Sequence, residues 1–235
     1  MDLLRDVVEW FGDRASWRGS DGLVHLLAQH VWLSAAAVAI SCAIALPIGL
    51  GLGHARRGEV FAVNVANIGR ALPSFAVLVF ALQLLSIGTG PALVALVVLA
   101  VPVMVTNAYV AMAGVEDDLR EAARGMGMSG WQLFRRVELP LAMPLVMAGV
   151  RTAAVQVVAT ATLAALVGYG GLGLLILRGL RTRDDVEVFA AALTVAVLAL
   201  ITEVVLAGVQ RLLTPRGIRR ITEVPAMAPV IDPNI

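Results

Sequence analysis

Residues 71–115 read ALPSFAVLVFALQLLSIGTGPALVALVVLAVPVMVTNAYVAMAGV, a run of 45 residues without one Asp, Glu, Lys or Arg. A membrane-spanning helix needs about 20 mainly apolar residues, so this run is too long for one span. Residues 86–91, SIGTGP, form a turn-like cluster that divides the run. The run therefore predicts one span that ends near Leu85 and another from Ala92 to Ala113.

The rest of the chain has the same apolar character. Hydrophobic residues make up 59% of the 235 residues, charged residues make up 15%, and the formal net charge is +1. A typical soluble domain is about 45–50% apolar and about 25% charged, and a chain of this size cannot bury the excess in one aqueous core. The composition predicts an integral membrane protein, and the net charge argues against nucleic acid as a partner.

Three other apolar stretches complete the predicted spans. The first span covers residues 28–52, the fourth covers 141–167 with Arg151 inside it, and the fifth covers 188–209 with Glu203 inside it. Because residues 71–85 are few for a span, the second span is predicted to begin near Val60. We therefore predict an all-α integral membrane protein with about five transmembrane helices.

The ends of the chain are more polar. Residues 1–24 carry several charges, and their apolar residues recur at helical spacing, which predicts an amphipathic helix on the outer membrane surface. Residues 214–235 are predicted to form a cytoplasmic tail.

Arginine sets the orientation, since all 18 basic residues are Arg. With the N-terminus outside, ten of them fall in cytoplasmic segments and six fall outside, as the positive-inside rule requires. The chain lacks the lysine that a P-loop uses to hold ATP phosphates. We therefore expect no ATP hydrolysis by this chain through a P-loop, and no catalytic residue or cofactor is predicted in it.

One polar loop, residues 115–139, lies between two spans, and this orientation places it in the cytosol. A short helix is predicted from Asp117 to Arg124, because acidic residues favour a helix N-terminus, and Gly125 and Gly127 are predicted to end it. Ser129 and Gln132 have the spacing of a capping box. On physical grounds the loop suits either the lipid surface or a groove on another protein.

The loop resembles the EAA motif of bacterial type I ABC importer permeases. That pattern is E-A-A, three residues, G, nine residues, I, one residue, L-P. The chain has, at matching spacings, Glu121-Ala122-Ala123, Gly127, Val137 in place of Ile, and Leu139-Pro140. The resemblance implies a coupling helix that docks into a cleft of an ATP-binding subunit. It implies that Glu121 is a polar anchor, that Ala122 and Ala123 allow close approach, and that Gly127 makes the turn. Gly125 is predicted to belong to the same set of coupling residues.

The resemblance covers residues 25–213 and implies an ABC transporter type-1 transmembrane fold, with the coupling loop at 115–139. Residues 149–153, 159–165 and 167–173 resemble the branch that imports osmoprotectants, namely glycine betaine, choline, carnitine and related quaternary amines. The family implies a bacterial cell membrane location and three kinds of partner. These are an ATP-binding cassette subunit that hydrolyses ATP, a second permease that is identical or homologous, and an extracytoplasmic substrate-binding protein.

Two other functions remain open at this point. Residues 167–173 also resemble methionine importers, although these usually carry Ala or Gly where this chain has Tyr169. A permease for methionine or another amino acid is therefore one alternative. A membrane transporter or scaffold that works without an ATPase is the other.

Weaker patterns are given structural interpretations. Gly168, Gly170 and Gly173 form G-x-G-x-x-G, but a span precedes them where a dinucleotide site needs a strand, so they are predicted to allow a sharp turn or close helix packing. Arg151 and Glu203 are predicted to pair inside the membrane, with a place on the permeation path as the rival hypothesis. The three His residues are too scattered for a metal site, and His30 is predicted to anchor the first span at the interface.

Overall fold

The computed structural model describes residues 2–214, apart from the side chains of Asp2, Phe61, Val63, Ala66 and Arg70. Within this range every regular element is helical. The helices are α1 (Asp2–Gly12), α2 (Arg14–Trp17), α3 (Leu23–His54), α4 (Glu59–Ala71), α5 (Ser74–Leu84), α6 (Thr89–Ala113), α7 (Asp117–Gly125), α8 (Gly130–Leu133), α9 (Leu139–Thr160), α10 (Leu172–Thr182) and α11 (Asp185–Leu213). A π-helical turn at Phe134–Glu138 leads into α9, and a 3₁₀ turn at Ala161–Val167 follows it. The predicted all-α architecture is confirmed.

Four segments of the described chain are long and apolar enough to cross a membrane. They are α3, α6, the continuous helical segment Gly130–Val167 that contains α9, and α11. They contain the first, third, fourth and fifth predicted spans and extend beyond each of them. The chain is therefore a multi-pass membrane protein.

The second predicted span is not one helix, which corrects the expectation of a continuous segment from Val60 to Leu85. Helix α4 ends at Ala71, Leu72 is extended with ψ at 119°, and α5 begins at Ser74. The cause is Pro73, because a proline pushes the preceding residue out of the helical region and has no N–H to donate. Helix α5 has 11 residues and is about 16 Å long at 1.5 Å per residue.

The long helices pack in the order α3, α6, α9 and α11, each against the next. Gly49 and Gly53 bring α3 close to α6. A Cβ atom at Gly49 would lie 2.7 Å from the Ala108 Cβ, and one at Gly53 would lie 2.6 Å from the Met112 Cβ. Small residues four apart allow such close backbone approach between membrane helices. Buried Ala and Val residues of α6 and α9 continue the same core.

The N-terminal helix is confirmed at α1, which lies against α11. Val7 is buried, and Trp10 and Phe11 pack against a cluster formed by α3, α10 and α11. Leu4 and Val8 remain exposed. The position of α1 on the outer membrane surface stays a prediction, and residues 215–235 of the predicted tail lie outside the described residues.

Candidate functional site

The polar loop between α6 and α9 folds as a short helix with a sharp exit. Helix α7 begins after Glu116 and ends at Gly125. Gly127 has φ at 82°, a left-handed conformation that favours glycine. The amide of Met128 then donates to the Ala123 carbonyl at 3.2 Å, and that of Gly127 donates to Arg124 at 2.9 Å. These bonds satisfy carbonyls that the helix end would leave free.

Helix α8 begins after Ser129, with the capping interactions that the sequence predicts. The hydroxyl of Ser129 accepts from the Gln132 amide, and the Gln132 side chain accepts from the Ser129 amide at 2.8 Å. The predicted capping box is therefore confirmed. It fixes the angle at which the chain leaves α7 and enters the segment that becomes α9.

The outer face of this loop combines polar and apolar residues. Glu121, Ala122, Gly125 and Gly127 are exposed, whereas Ala123 is buried against its own chain. Leu119, Ala122 and Met126 lie at i, i+3 and i+7 on one side of α7 and its exit, and Met126 is 72% exposed. We call these three residues the α7 apolar face. An exposed apolar face of this kind can contact either the lipid surface or a groove on another protein.

A buried carboxylate lies beneath the loop. Glu138 is fully buried between Arg120 of α7 and His54 at the end of α3. The Arg120 Nε lies 3.2 Å from one carboxylate oxygen without hydrogen-bond alignment, and the His54 Nδ1 donates to the other oxygen. Arg120 also donates to the Met112 carbonyl at 2.6 Å. We call Glu138, Arg120 and His54 the inner charge cluster.

Arg120 of the inner charge cluster keeps its positive charge despite its burial. Burial lowers the pKa of Arg120, and the neighbouring Glu138 carboxylate raises it again. An arginine stays protonated over the whole working range of a protein, so a buried positive charge faces the Glu138 side chain inside the chain. The cluster joins α3, α7 and the start of α9, which are distant in sequence.

Two further contacts attach the loop to α3. Arg56, just after α3, pairs with Asp117 at 2.7 Å and donates to the Val115 carbonyl at 3.0 Å. On the other side Trp131 stacks on Phe134 with the ring centroids 5.4 Å apart, and Phe134 meets the His54 ring edge-on. The loop is thus held to the end of α3 by ionic and aromatic contacts.

Sequence reasoning did not identify the inner charge cluster. Glu138 occupies the single free position of the EAA pattern that lies between Val137 and Leu139. A single carboxylate in an otherwise apolar V-E-L-P segment was the available signal. Its partners were not predictable, because His54 lies 84 residues away and meets Glu138 only through the packing of α3 beside α9.

The residues predicted to pair inside the membrane lie together. The Arg151 Nε of α9 is 2.8 Å from the Glu203 Oε1 of α11. Arg151 also donates to the Gln210 Oε1 at 2.8 Å, and the Gln210 amide donates to the Pro144 carbonyl at 2.9 Å. The arrangement links the middle of α9 to the C-terminal half of α11.

The glycine-rich segment after α9 packs against the start of α3. The Tyr169 hydroxyl donates to the Gln29 carbonyl, and the Gly171 amide donates to the Gln29 side chain, both at 3.0 Å. A Cβ atom at Gly173 would lie only 1.9 Å from the Thr162 carbonyl oxygen, so the prediction of close packing is confirmed. The prediction that His30 anchors the first span at the membrane interface is wrong. His30 is buried, and its Nε2 lies 2.9 Å from the Val158 carbonyl oxygen.

Comparison with known proteins adds three findings. A family model described as "Binding-protein-dependent transport system inner membrane component" matches residues 43–219. The chain is 38% identical over 202 residues to the glycine betaine/carnitine/choline transport system permease protein OpuCB of Bacillus subtilis (strain 168). The aligned segment covers 86% of this chain and 93% of that protein. The chain is also 34% identical over 219 residues to the osmoprotectant import permease protein OsmW of Salmonella typhimurium. That alignment covers 91% of this chain and 100% of that protein.

Solved structures show the same fold. An inward-facing conformation of the MetNI methionine ABC transporter superposes with a TM-score of 0.71 at 22% sequence identity. The match covers 80% of this chain and 94% of the other. At this identity the likeness concerns the fold, and the predicted type-1 transmembrane architecture is confirmed.

Proposed function

The chain belongs to the inner membrane components of binding-protein-dependent transport systems, and we propose that it is the permease through which an ABC importer takes up osmoprotectants. Its substrates would be glycine betaine, choline or carnitine. The observation that carries this proposal is the similarity along 86% of the chain to a permease named for these three solutes. Relatives named for choline, carnitine and osmoprotectant transport support it at 34–38% identity.

Methionine is the weaker alternative. The methionine transporter shares 22% sequence identity with this chain, which carries an argument about the fold and not about the solute. Tyr169, which departs from the usual methionine-importer pattern, also has a structural use here, since its hydroxyl donates to the Gln29 carbonyl.

Transport by this chain would need partners. ATP hydrolysis would reside on a separate ATP-binding subunit, because the sequence has no lysine with which to form a P-loop. A second permease, identical or homologous, would complete the path between the two chains. An extracytoplasmic binding protein would deliver the solute. In this arrangement the N-terminus is outside, residues 1–24 lie on the outer surface, residues 25–213 form the transmembrane domain and residues 214–235 form the cytoplasmic tail.

Loop 115–139 would couple the ATPase to the spans. The α7 apolar face would enter a cleft of the ATPase, with Glu121 as the polar anchor at its edge. Ala123 would act indirectly, because its small side chain lets α7 approach its own chain. The inner charge cluster would then carry a displacement of α7 to α3 and α9. A rigid link suits this task, since packed ionic and aromatic contacts move as one unit.

Solute uptake tests the substrate proposal. The chain is co-expressed with its ATPase and its binding protein in cells that lack other osmoprotectant uptake. We expect growth at high salt to be restored by added glycine betaine, choline or carnitine and to fail when the gene is deleted. Uptake of labelled methionine alone would contradict the proposal.

Two glycines of the loop test the coupling proposal. Gly127→Pro should abolish both uptake and solute-stimulated ATP hydrolysis, because proline cannot adopt φ at 82° and removes the amide bonded to Arg124. Gly130→Ala is the control, because Gly130 lies in the same loop and also has open space around it but has ordinary helical backbone, and this variant should leave uptake near the original level. Full transport by the Gly127→Pro variant would show that the loop does not couple.

A further inference from the structure

A cavity of about 530 Å³ opens among the α4–α5 break, α6 and α9. This volume lies in the range of about 300–1,000 Å³ that is usual for small-molecule sites. Its lining consists of Gly69, Leu72, Ser74, Leu99, Val103, Asn107, Thr152, Gln156 and Thr160. Five of these nine residues have polar side chains, although the helices around them are strongly apolar.

The five polar residues of the lining face the same cavity. Thr152, Gln156 and Thr160 are spaced four apart and so lie on one face of α9, while Asn107 of α6 and Ser74 of α5 belong to the same cavity wall. Thr152 and Gln156 are exposed at the surface of the chain. Neither has a hydrogen-bond partner in the part of the chain that the structure describes. Polar groups at this depth are costly against lipid, so they indicate a water-filled or solute-filled space.

The helix break contributes a second feature of the wall. Leu72 and Ser74 flank Pro73, so α4 ends and α5 begins at the cavity. Free carbonyls at a helix end carry partial negative charge, and free amides at a helix start carry partial positive charge. Gly69 fixes this break against α6, because a Cβ atom there would lie 2.5 Å from the Pro102 Cβ.

The lining fits one chemical class of solute. Amide and hydroxyl groups can hydrogen-bond a carboxylate or a hydroxyl, while Leu72, Leu99 and Val103 offer aliphatic contact to methyl groups. We propose that this cavity holds the solute during its passage, and that it takes a small methylated amine bearing a carboxylate or hydroxyl. The inference rests on the proposed import function and assigns it a place in the chain.

Thiol labelling tests whether the cavity lies on the path. Cys42, the single cysteine of the chain, is first replaced by alanine, and the complete importer is reconstituted in proteoliposomes. Gln156→Cys should react with a methanethiosulfonate that bears a trimethylammonium group. Leu200→Cys is the control, because Leu200 is 65% exposed on α11 and should face lipid without reacting. Glycine betaine, choline or carnitine, whichever the unmodified importer transports, should slow the reaction at position 156 several-fold.

Uptake by two variants provides an independent test. Gln156→Leu should lower the uptake rate about tenfold, the effect of roughly one lost hydrogen bond, while the ATPase still co-purifies. Thr202→Val on α11 removes a hydroxyl that only bonds the Leu198 carbonyl of its own helix and should leave the rate unchanged. Equal labelling at positions 156 and 200, or labelling that the transported solute does not slow, would overturn the assignment.

The two proposals fail in different ways. If the unmodified importer takes up none of the three solutes, the substrate proposal fails. Comparison of the labelling rates of Gln156→Cys and Leu200→Cys would still decide whether the cavity is part of a passage. If uptake occurs and Gln156→Leu leaves it unchanged, the cavity assignment fails while the import function stands.

Discussion

The inner charge cluster and the Arg151–Glu203 pair both join helices through opposite charges, but they differ in how completely protein surrounds them. Glu138 is fully buried and Arg120 is 3% exposed, although both belong to the polar loop 115–139. Arg151 and Glu203 lie within spans, yet 30% and 40% of their side chains are exposed. The two pairs therefore differ in how far the chain's own atoms bury them, and this difference does not follow from their depth along a helix.

The difference also separates two functions of charge in this fold. The Arg151–Glu203 pair holds two neighbouring spans together, with Gln210 completing the hydrogen bonds. The inner charge cluster joins a loop helix to two spans, so it lies between the surface proposed to meet the ATPase and the helices that must move. Loss of the first should weaken assembly, whereas loss of the second should uncouple the loop as well.

The largest expected effect is at Glu138. Glu138→Ala leaves Arg120 buried without its counter-charge, a change that usually costs about 3–5 kcal/mol. We expect a marked fall in the thermal stability of the detergent-solubilised protein and loss of uptake. Asp118→Asn is the control, because Asp118 is an exposed acid in the same loop and should change little.

A double variant sharpens this prediction. Replacing Glu138 and Arg120 together by apolar residues of similar size removes both charges, which is often neutral for stability. We expect stability to recover while coupling of ATP hydrolysis to uptake stays impaired. Recovery of both would show that the cluster only stabilises the fold.

The Arg151–Glu203 pair should have a smaller effect. Single reversals, Arg151→Glu or Glu203→Arg, place like charges together and should reduce assembly in the membrane. The double swap should restore it, with a coupling energy of about 1 kcal/mol, since polar contacts between membrane helices average about 0.6 kcal/mol. A double swap no better than either single reversal would count against pairing and favour a place on the permeation path.

The smallest effect is expected at the surface. Arg5 and Glu9 of α1 are 2.9 Å apart, with 79% and 62% of their side chains exposed. Glu9→Gln should change the thermal stability by less than about 0.5 kcal/mol, because exposed pairs are screened by water and ions. A loss of thermal stability as large as that of Glu138→Ala would show that burial does not determine how much a charged pair stabilises the protein.

Much of the fold could be predicted from local patterns. Four spans, the end of α7 at Gly125 and the capping box at Ser129 were predictable, because each depends on residues within about one helix length. The break at Pro73 was also encoded locally, but the need for a second span of full length outweighed that signal. The exposed and buried faces of α7 required the structure, since Ala122 and Ala123 are identical neighbours in sequence and only Ala123 faces the protein.

The sequence by itself determined that this chain crosses a membrane and which loop carries the EAA-like pattern, and it predicts which side the arginine-rich loops face. Hydropathy and backbone hydrogen bonding act along the chain, so these properties can be read in order. Only the tertiary structure decided that His54, Arg120 and Glu138 meet, and that polar residues of three helices surround one cavity. Those contacts depend on how closely α3, α6 and α9 approach one another, which small residues such as Gly49 and Gly53 permit without specifying the partner.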